Sequence, residues 1–247
     1  MTSIAQLCKS DALALERRVQ RAIHRAPTLE VAAQRYVETV YDALGDSIVL
    51  LRLFATVQFR ELPQRNREFV RALAESAGAA DAITDDTLVL SLLGTMGVEP
   101  QWCDRRESAS HVGIPLVSRE FVAAIPMIAR LLKQLGVELD WIDRKDTAIV
   151  GKTFGVQSGV FYVADAATAV DHHNRKIIAA QEFVARYDIQ TVYGVGGGYV
   201  GTPVYATITS FCRDHVDESR AEWFRSHIDR FKAETLTLAQ RGLIFSE

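Results

Sequence analysis

Residues 190–212 read QTVYGVGGGYVGTPVYATITSFC, and the way they fold decides the class of the chain. Two extended runs, 190–200 and 203–212, meet at Gly201-Thr202, and a Gly-X pair is what a two-residue type II′ hairpin turn requires. In the second run Val204, Ala206, Ile208, Ser210 and Cys212 alternate with Tyr205, Thr207, Thr209 and Phe211, a period of two that belongs to a strand. The glycines from Gly196 to Gly201 also match G-x-G-x-x-G letter for letter. That fingerprint binds a dinucleotide only when a helix follows, because the helix N-terminus supplies the amide donors for the pyrophosphate. Here Pro203 and an alternating run follow, so the segment reads as a β-hairpin. Its glycines Gly194, Gly196, Gly197 and Gly198 strip side chains from the sheet, which predicts room there for a ligand or for another element's backbone.

Outward from the hairpin, Asp217 is placed to cap a long final helix, with Ala221, Phe224, Ile228 and Phe231 facing inward and Gly242 closing it. Upstream, SIVLLRLFATVQF (47–59), TLVLSLL (87–93) and GVFYVA (159–164) read as strands, the first two apolar enough to be covered on both faces. Helical spacing covers 11–25, then a second helix runs from a Thr28 cap to Gly45, where a left-handed residue is expected. Further helices are predicted at 64–75, at 118–136 with Pro126 dividing or kinking it, and at 180–187. Residues 94–117 read as a polar loop ending in Ile114-Pro115-Leu116, and 140–158 resist assignment. Hairpin-connected strands with helices gathered before and after them imply an α+β chain with a mainly antiparallel central sheet flanked by helices. With no linker and no repeat, 1–247 is read as a single domain, 1–45 being an N-terminal helical extension and 46–242 the sheet–helix core.

Composition excludes several functions. A net charge of −3 with interspersed signs lacks the concentrated positive charge of a nucleic-acid surface. No window approaches the roughly 20 apolar residues that span a bilayer, and the N-terminus lacks the basic and apolar regions of a secretory signal. Cys8, Cys103 and Cys212 are too scattered for a disulfide framework, which fits a soluble protein of the reducing cytoplasm.

The terminal hairpin TVYGVGGGYVGTPVYATITSF, followed by a capped amphipathic helix, resembles the end of a GAF domain. The wider chain, with GVEPQWCDRRESASHVGIPL and FVAAIPMIARLLKQLG, is similar to GAF-like input segments ahead of bacterial histidine kinases and nucleotide cyclases. The resemblance covers residues 29–240 and implies a profilin-like α+β fold and a small-molecule-binding sensor of bacterial signalling. No kinase or cyclase segment follows in this sequence, which points to a sensor without an attached output domain. The resemblance also implies terminal helices in dimer contacts, and the apolar positions of the first and last helices suit either a homodimer or the core. Some GAF proteins reduce methionine sulfoxide through cysteines, but none of the three here matches that arrangement.

The most chemically loaded segment is QWCDRRESASH, from Gln101 to His111. The resemblance places it beside the ligand pocket. Trp102 offers a stacking surface, Arg105 or Arg106 a fork for a carboxylate or phosphate, and Asp104, Ser108 and His111 polar contacts. Arg52, inside the first strand, must be paired or face a polar cavity. Tyr162 or Tyr193 is expected to line the sheet side. The competing reading is an enzyme, redox or hydrolytic, using Cys103, Asp104 and His111, although nothing marks Cys103 as an activated thiol. Asp171-His172-His173 suggests metal ligation, but adjacent histidines diverge, so no metal site, catalytic residue or cofactor is assigned.

Overall fold

The computed structural model describes residues 3–109, 111–137, 139, 142–143 and 158–246. Its strands are β1 (Ile48–Gln58), β2 (Leu88–Gly97), β3 (Gly113–Pro115), β4 (Gly159–Val163), β5 (Thr191–Gly198) and β6 (Tyr205–Cys212). They form one sheet in the order β3-β2-β1-β6-β5-β4, and every neighbouring pair is antiparallel. The α+β reading therefore holds. Strand β1 is apolar on both faces because it lies at the centre of the sheet with a layer on each side.

One face is covered by α1 (Lys9–Ile23) and α2 (Leu29–Leu44), the pair that opens the chain. The Thr28 hydroxyl accepts the Val31 amide at 3.3 Å and starts α2. Gly94 in β2 lets α2 approach, since a Cβ there would lie 2.6 Å from the Ala33 carbonyl. The helix α3 (Gln64–Ser76) packs on β3 at the sheet edge. The opposite face carries α4 (Arg119–Ala123), α5 (Pro126–Gln134) and α6 (Gln181–Arg186). Pro126 divides the predicted 118–136 helix and becomes the first residue of α5, where its missing N–H costs nothing. The chain then turns through α7 (Glu218–Ala221) into α8 (Arg225–Gln240), which joins α1 and α2.

Four local expectations are corrected. A two-residue turn at Gly201-Thr202 would need an N–H from Pro203, which has none. The strands instead close at the Tyr199 amide and the Val204 carbonyl, 2.9 Å apart, and Gly201 takes a φ of +71° within the longer loop. Gly45 is right-handed, with φ −61°, because the chain continues through a further turn in which the Ser47 amide reaches Leu44. The expected loop 94–117 is shorter than read: β2 runs on to Gly97, and residues 113–115 pair with it as β3. Asp217 makes no side-chain cap, and the final helical stretch is broken by a 3₁₀ turn at Glu222–Phe224. The apolar positions of α1 and α8, including Leu15, Val19, Ile228 and Phe231, are spent in the chain's own core.

Candidate functional site

Strand register builds the floor of a cavity on the α4–α6 side. In the pairing of β1 with β6, Leu50 faces Phe211, Arg52 faces Thr209 and Phe54 faces Thr207. Directly opposed residues of an antiparallel pair share a face, so these six side chains form one patch. Above it lies a cavity of about 260 Å³. Its roof comes from the α4–α5 junction and α5 itself, through Ile125, Met127, Ile128 and Leu131. Ile177, Ile178 and Phe183 close a second side, and Trp102, His111 and Ile114 a third. Apolar side chains dominate, as in most small-molecule sites, and the polar groups are few.

Those polar groups are specific. Arg52 is 6% exposed, and its Nη2 donates to the Ser108 hydroxyl at 3.2 Å. Burial draws its pKa down to about 10, so the guanidinium still carries its charge at neutral pH. The Thr207 hydroxyl is fully buried and has no hydrogen-bond partner among the described residues. Thr209 lies one register step away, opposite Arg52. His111 holds a left-handed backbone, φ +56°, at the rim, a conformation that costs a non-glycine residue energy. Burial, and then the Arg52 charge, keep its pKa below the ordinary imidazole value. Among the described lining residues there is one guanidinium and no carboxylate.

The nine residues read as a site in the sequence separate into three places. Arg52, Trp102 and His111 line this cavity, and Ser108 lies behind Arg52 as its hydrogen-bond acceptor. Trp102 is held edge-on by Phe183 and Tyr187, at ring distances of 5.6 and 5.1 Å. Asp104, Arg105 and Arg106 point instead to a second depression beside α2. There both arginines do clamp a carboxylate, but it is the protein's own. Glu30 accepts from Arg105 Nε at 2.6 Å and lies 2.8 Å from Arg106 Nη2. Asp104 accepts the Arg106 amide at 2.8 Å. Tyr162 and Tyr193 are on the opposite face: Tyr162 donates to the Val216 carbonyl at 2.7 Å, and the Tyr193 ring lies 5.3 Å from Phe224.

The enzyme constellation is not assembled. Cys103 Sγ is directed at the Gly97 and Glu99 carbonyls, and Cys103 and His111 line different depressions. Ser110, in the same segment, lies outside the described residues. The Asp171 carboxylate accepts the His173 and Arg175 amides at 2.9 Å and pairs with the Arg175 guanidinium, leaving two exposed histidines beside a closed turn. No group of three His, Cys, Asp or Glu side chains suited to a metal ion occurs among the described residues. None of their helices is long and apolar enough to cross a membrane.

The glycine gaps of β5 are filled by protein. A Cβ at Gly196 would meet the Leu135 side chain at 2.7 Å, and one at Gly197 would meet Lys232 Nζ at 2.5 Å. The glycines thus seat the end of α5 on the sheet and leave the cavity one strand away, over β1 and β6. Sequence reading missed Thr207, Thr209 and the α5 roof. The signal for the threonines was present: two hydroxyls in the alternating run share a face with Tyr205 and Phe211, inside a strand buried on both sides.

No protein-family model matches the chain, and no curated protein matches it. Among solved structures it is similar to the GAF domain of an Acinetobacter phosphoenolpyruvate-protein phosphotransferase, at 13% identity and a TM-score of 0.48 over 95% of this chain and 97% of that one. It is also similar to the free methionine-R-sulfoxide reductase of Neisseria meningitidis in complex with its substrate, at 8% identity and a TM-score of 0.47 over 98% of both chains. A third is the phycoerythrobilin-bound GAF domain of a cyanobacterial phytochrome, at 12% identity and a TM-score of 0.45 over 96% of this chain and 99% of that one. Such values carry no ligand, reaction or residue role across to this chain.

Proposed function

We propose that this chain is a small-molecule-binding regulatory domain of GAF-like type, with its ligand in the cavity between the β1–β6 floor and the α5 roof. One observation carries the reading: an apolar cavity in the middle of the sheet face whose floor holds the buried Arg52 guanidinium, bonded to Ser108, and the buried Thr207 hydroxyl, which has no partner among the described residues. Burying a hydroxyl costs stability unless something satisfies it, and a ligand does so when bound. The pattern of hairpin and terminal helix, and the antiparallel order of the strands, support the GAF-like part.

The 101–111 segment gives the site a route outward. Trp102 and His111 touch the cavity, while Arg105 of the same segment is buried against Glu30. Glu30 in turn accepts the Ser246 amide at 2.8 Å, and the Phe245 ring lies 5.0 Å from the Arg105 guanidinium. Filling the cavity therefore acts on a segment tied to the C-terminal residues. Bacterial signalling, a cytoplasmic setting and a homodimer belong to the same reading. Light scattering on the purified chain checks the dimer.

The test of the main claim is a melting-temperature screen with metabolites, nucleotides and organic acids. A ligand at about a hundredfold its Kd adds about 2.7 kcal/mol, which for a chain of this size raises the melting temperature by roughly 5–11 °C. A Trp102→Ala variant loses most of that rise for the same compound. If no compound in a broad panel stabilises the protein, the binding reading fails.

A further inference from the structure

The cavity's floor narrows its ligand. We infer that the site takes a compact, mainly hydrocarbon molecule ending in a hydrogen-bonding oxygen, with that oxygen set against the Thr207 hydroxyl and the body beneath α5. This deepens the proposed function and rests on it.

Strand register explains why Thr207 lacks a partner. On one side it faces Phe54 of β1, and on the other Gly196 of β5. Neither a phenyl ring nor a bare glycine has a side-chain group that pairs with a hydroxyl. Along β6 the neighbours on the same face are Tyr205 and Thr209, each about 7 Å away at two residues' distance. The Tyr205 hydroxyl is directed elsewhere and donates to the Leu135 carbonyl at 3.3 Å. The Thr207 hydroxyl is therefore left fully buried, with no partner among the described residues, in the lining of the cavity. A hydroxyl taken out of water without a partner costs stability. Valine has nearly the same shape and suits a buried strand without that cost. The hydroxyl thus marks the point on the floor where a bound molecule supplies a hydrogen bond.

The lining defines the body of that molecule. Leu50, Phe54 and Phe211 on the floor face Ile128, Leu131 and Phe183 across the cavity. These surfaces gain most from hydrocarbon placed between them. Met127, beside them, adapts to the outline of whatever fills the space. A volume of about 260 Å³ exceeds the roughly 150 Å³ cavity that binds benzene in an engineered apolar core, yet it is below the usual range for drug-sized ligands. A phenyl ring or a branched alkyl chain bearing a short oxygen-tipped arm fits. With Thr207 on the floor and apolar side chains over it, the oxygen belongs at one end of the molecule.

Two measurements on the purified full chain test this. The first needs no ligand. Thr207→Val removes an unsatisfied hydroxyl, so the melting temperature is expected to rise by roughly 2 °C or more. An unchanged or lower melting temperature would mean that water or the fold already satisfies the hydroxyl, and it overturns the inference. The second is equilibrium dialysis with 3-phenylpropan-1-ol and with butylbenzene, which carries a methyl group in place of the hydroxyl. The pair 4-methylpentan-1-ol and 2-methylhexane repeats the comparison on an aliphatic body. In at least one series Thr207→Val is expected to weaken the alcohol by about fivefold or more while leaving the hydrocarbon within about twofold. Thr207→Ser, which keeps the hydroxyl, should hold the alcohol within about threefold of its native affinity. If Thr207→Val weakens both members of each pair alike or neither, or if only the hydrocarbons bind, the ligand class is overturned and a binding cavity remains. If no probe binds, the inference is overturned as well, and the proposed function is then decided by the wider melting-temperature screen alone.

Discussion

Replacing Glu30 by alanine is expected to destabilise the protein by about 3–5 kcal/mol, far more than an ordinary surface ion pair contributes. The Glu30 and Arg105 side chains are only 5% and 4% exposed, so both charges have left water. Burial by itself raises the Glu30 pKa, but the Arg105 hydrogen bond, the Ser246 amide and the charges of Arg105 and Arg106 outweigh it and hold the carboxyl below its ordinary value. Removing the carboxylate leaves the Arg105 guanidinium buried without that anion and takes the acceptor from the Ser246 amide. Urea unfolding with a common m-value reads the loss, and the melting temperature should fall by roughly 6–20 °C. The double replacement Glu30→Leu with Arg105→Met removes both charges together. It should lie within about 1.5 kcal/mol of the native chain, because exchanging a buried pair for apolar side chains is close to neutral. A Glu30→Ala loss under about 1 kcal/mol, or a double variant as unstable as the sum of its parts, would refute the buried clamp.

What the sequence made legible follows the strength of local rules. Period-two alternation after a glycine-rich run identified β5 and β6, and Pro126 marked the division between α4 and α5, because each imposes a backbone constraint that no tertiary context removes. Arg52 was legible for a similar reason: a guanidinium inside an apolar strand must meet something polar. Arg105 and Arg106 show where that reasoning ends. Their fork chemistry was read correctly, but the carboxylate they hold comes from α2, some 75 residues away in the chain. Only the packing of α2 against β2 brings Glu30 to them. Tyr193 shows the same limit from the other side. It neighbours glycines in sequence, yet strand parity turns it to the α1–α2–α8 layer, and parity depends on register. The roof of the cavity was invisible for a third reason: apolar residues of an amphipathic helix look alike whether they fill a core or line a hollow.

Two further perturbations follow from the packing. Gly94→Ala places a Cβ 2.6 Å from the Ala33 backbone, so α2 must move off β2; a loss of roughly 1–3 kcal/mol is expected, read by urea unfolding, and an unchanged midpoint would mean that α2 is free to yield. The last concerns pH. His227 is fully enclosed, with its Nε2 placed to donate to the Ala12 carbonyl at 3.1 Å and its Nδ1 near the Tyr36 hydroxyl. Burial lowers its pKa, and the Ala12 hydrogen bond and the Glu16 charge recover only part of the shift. A folded value below the unfolded one means that the unfolded chain takes up the proton first. This contribution is complete above about pH 6.5, the ordinary imidazole value, and is lost as the pH falls through the folded pKa. The urea midpoint should therefore drop between about pH 7 and pH 5.5, before carboxylates such as Glu30 begin to titrate. His111 shifts in the same direction, so His227→Gln alone should make the profile shallower, and His111→Gln with His227→Gln shallower still. A midpoint that rises on acidification in this window would show that the imidazoles gain a charge partner on folding, contrary to the lowered pKa of both.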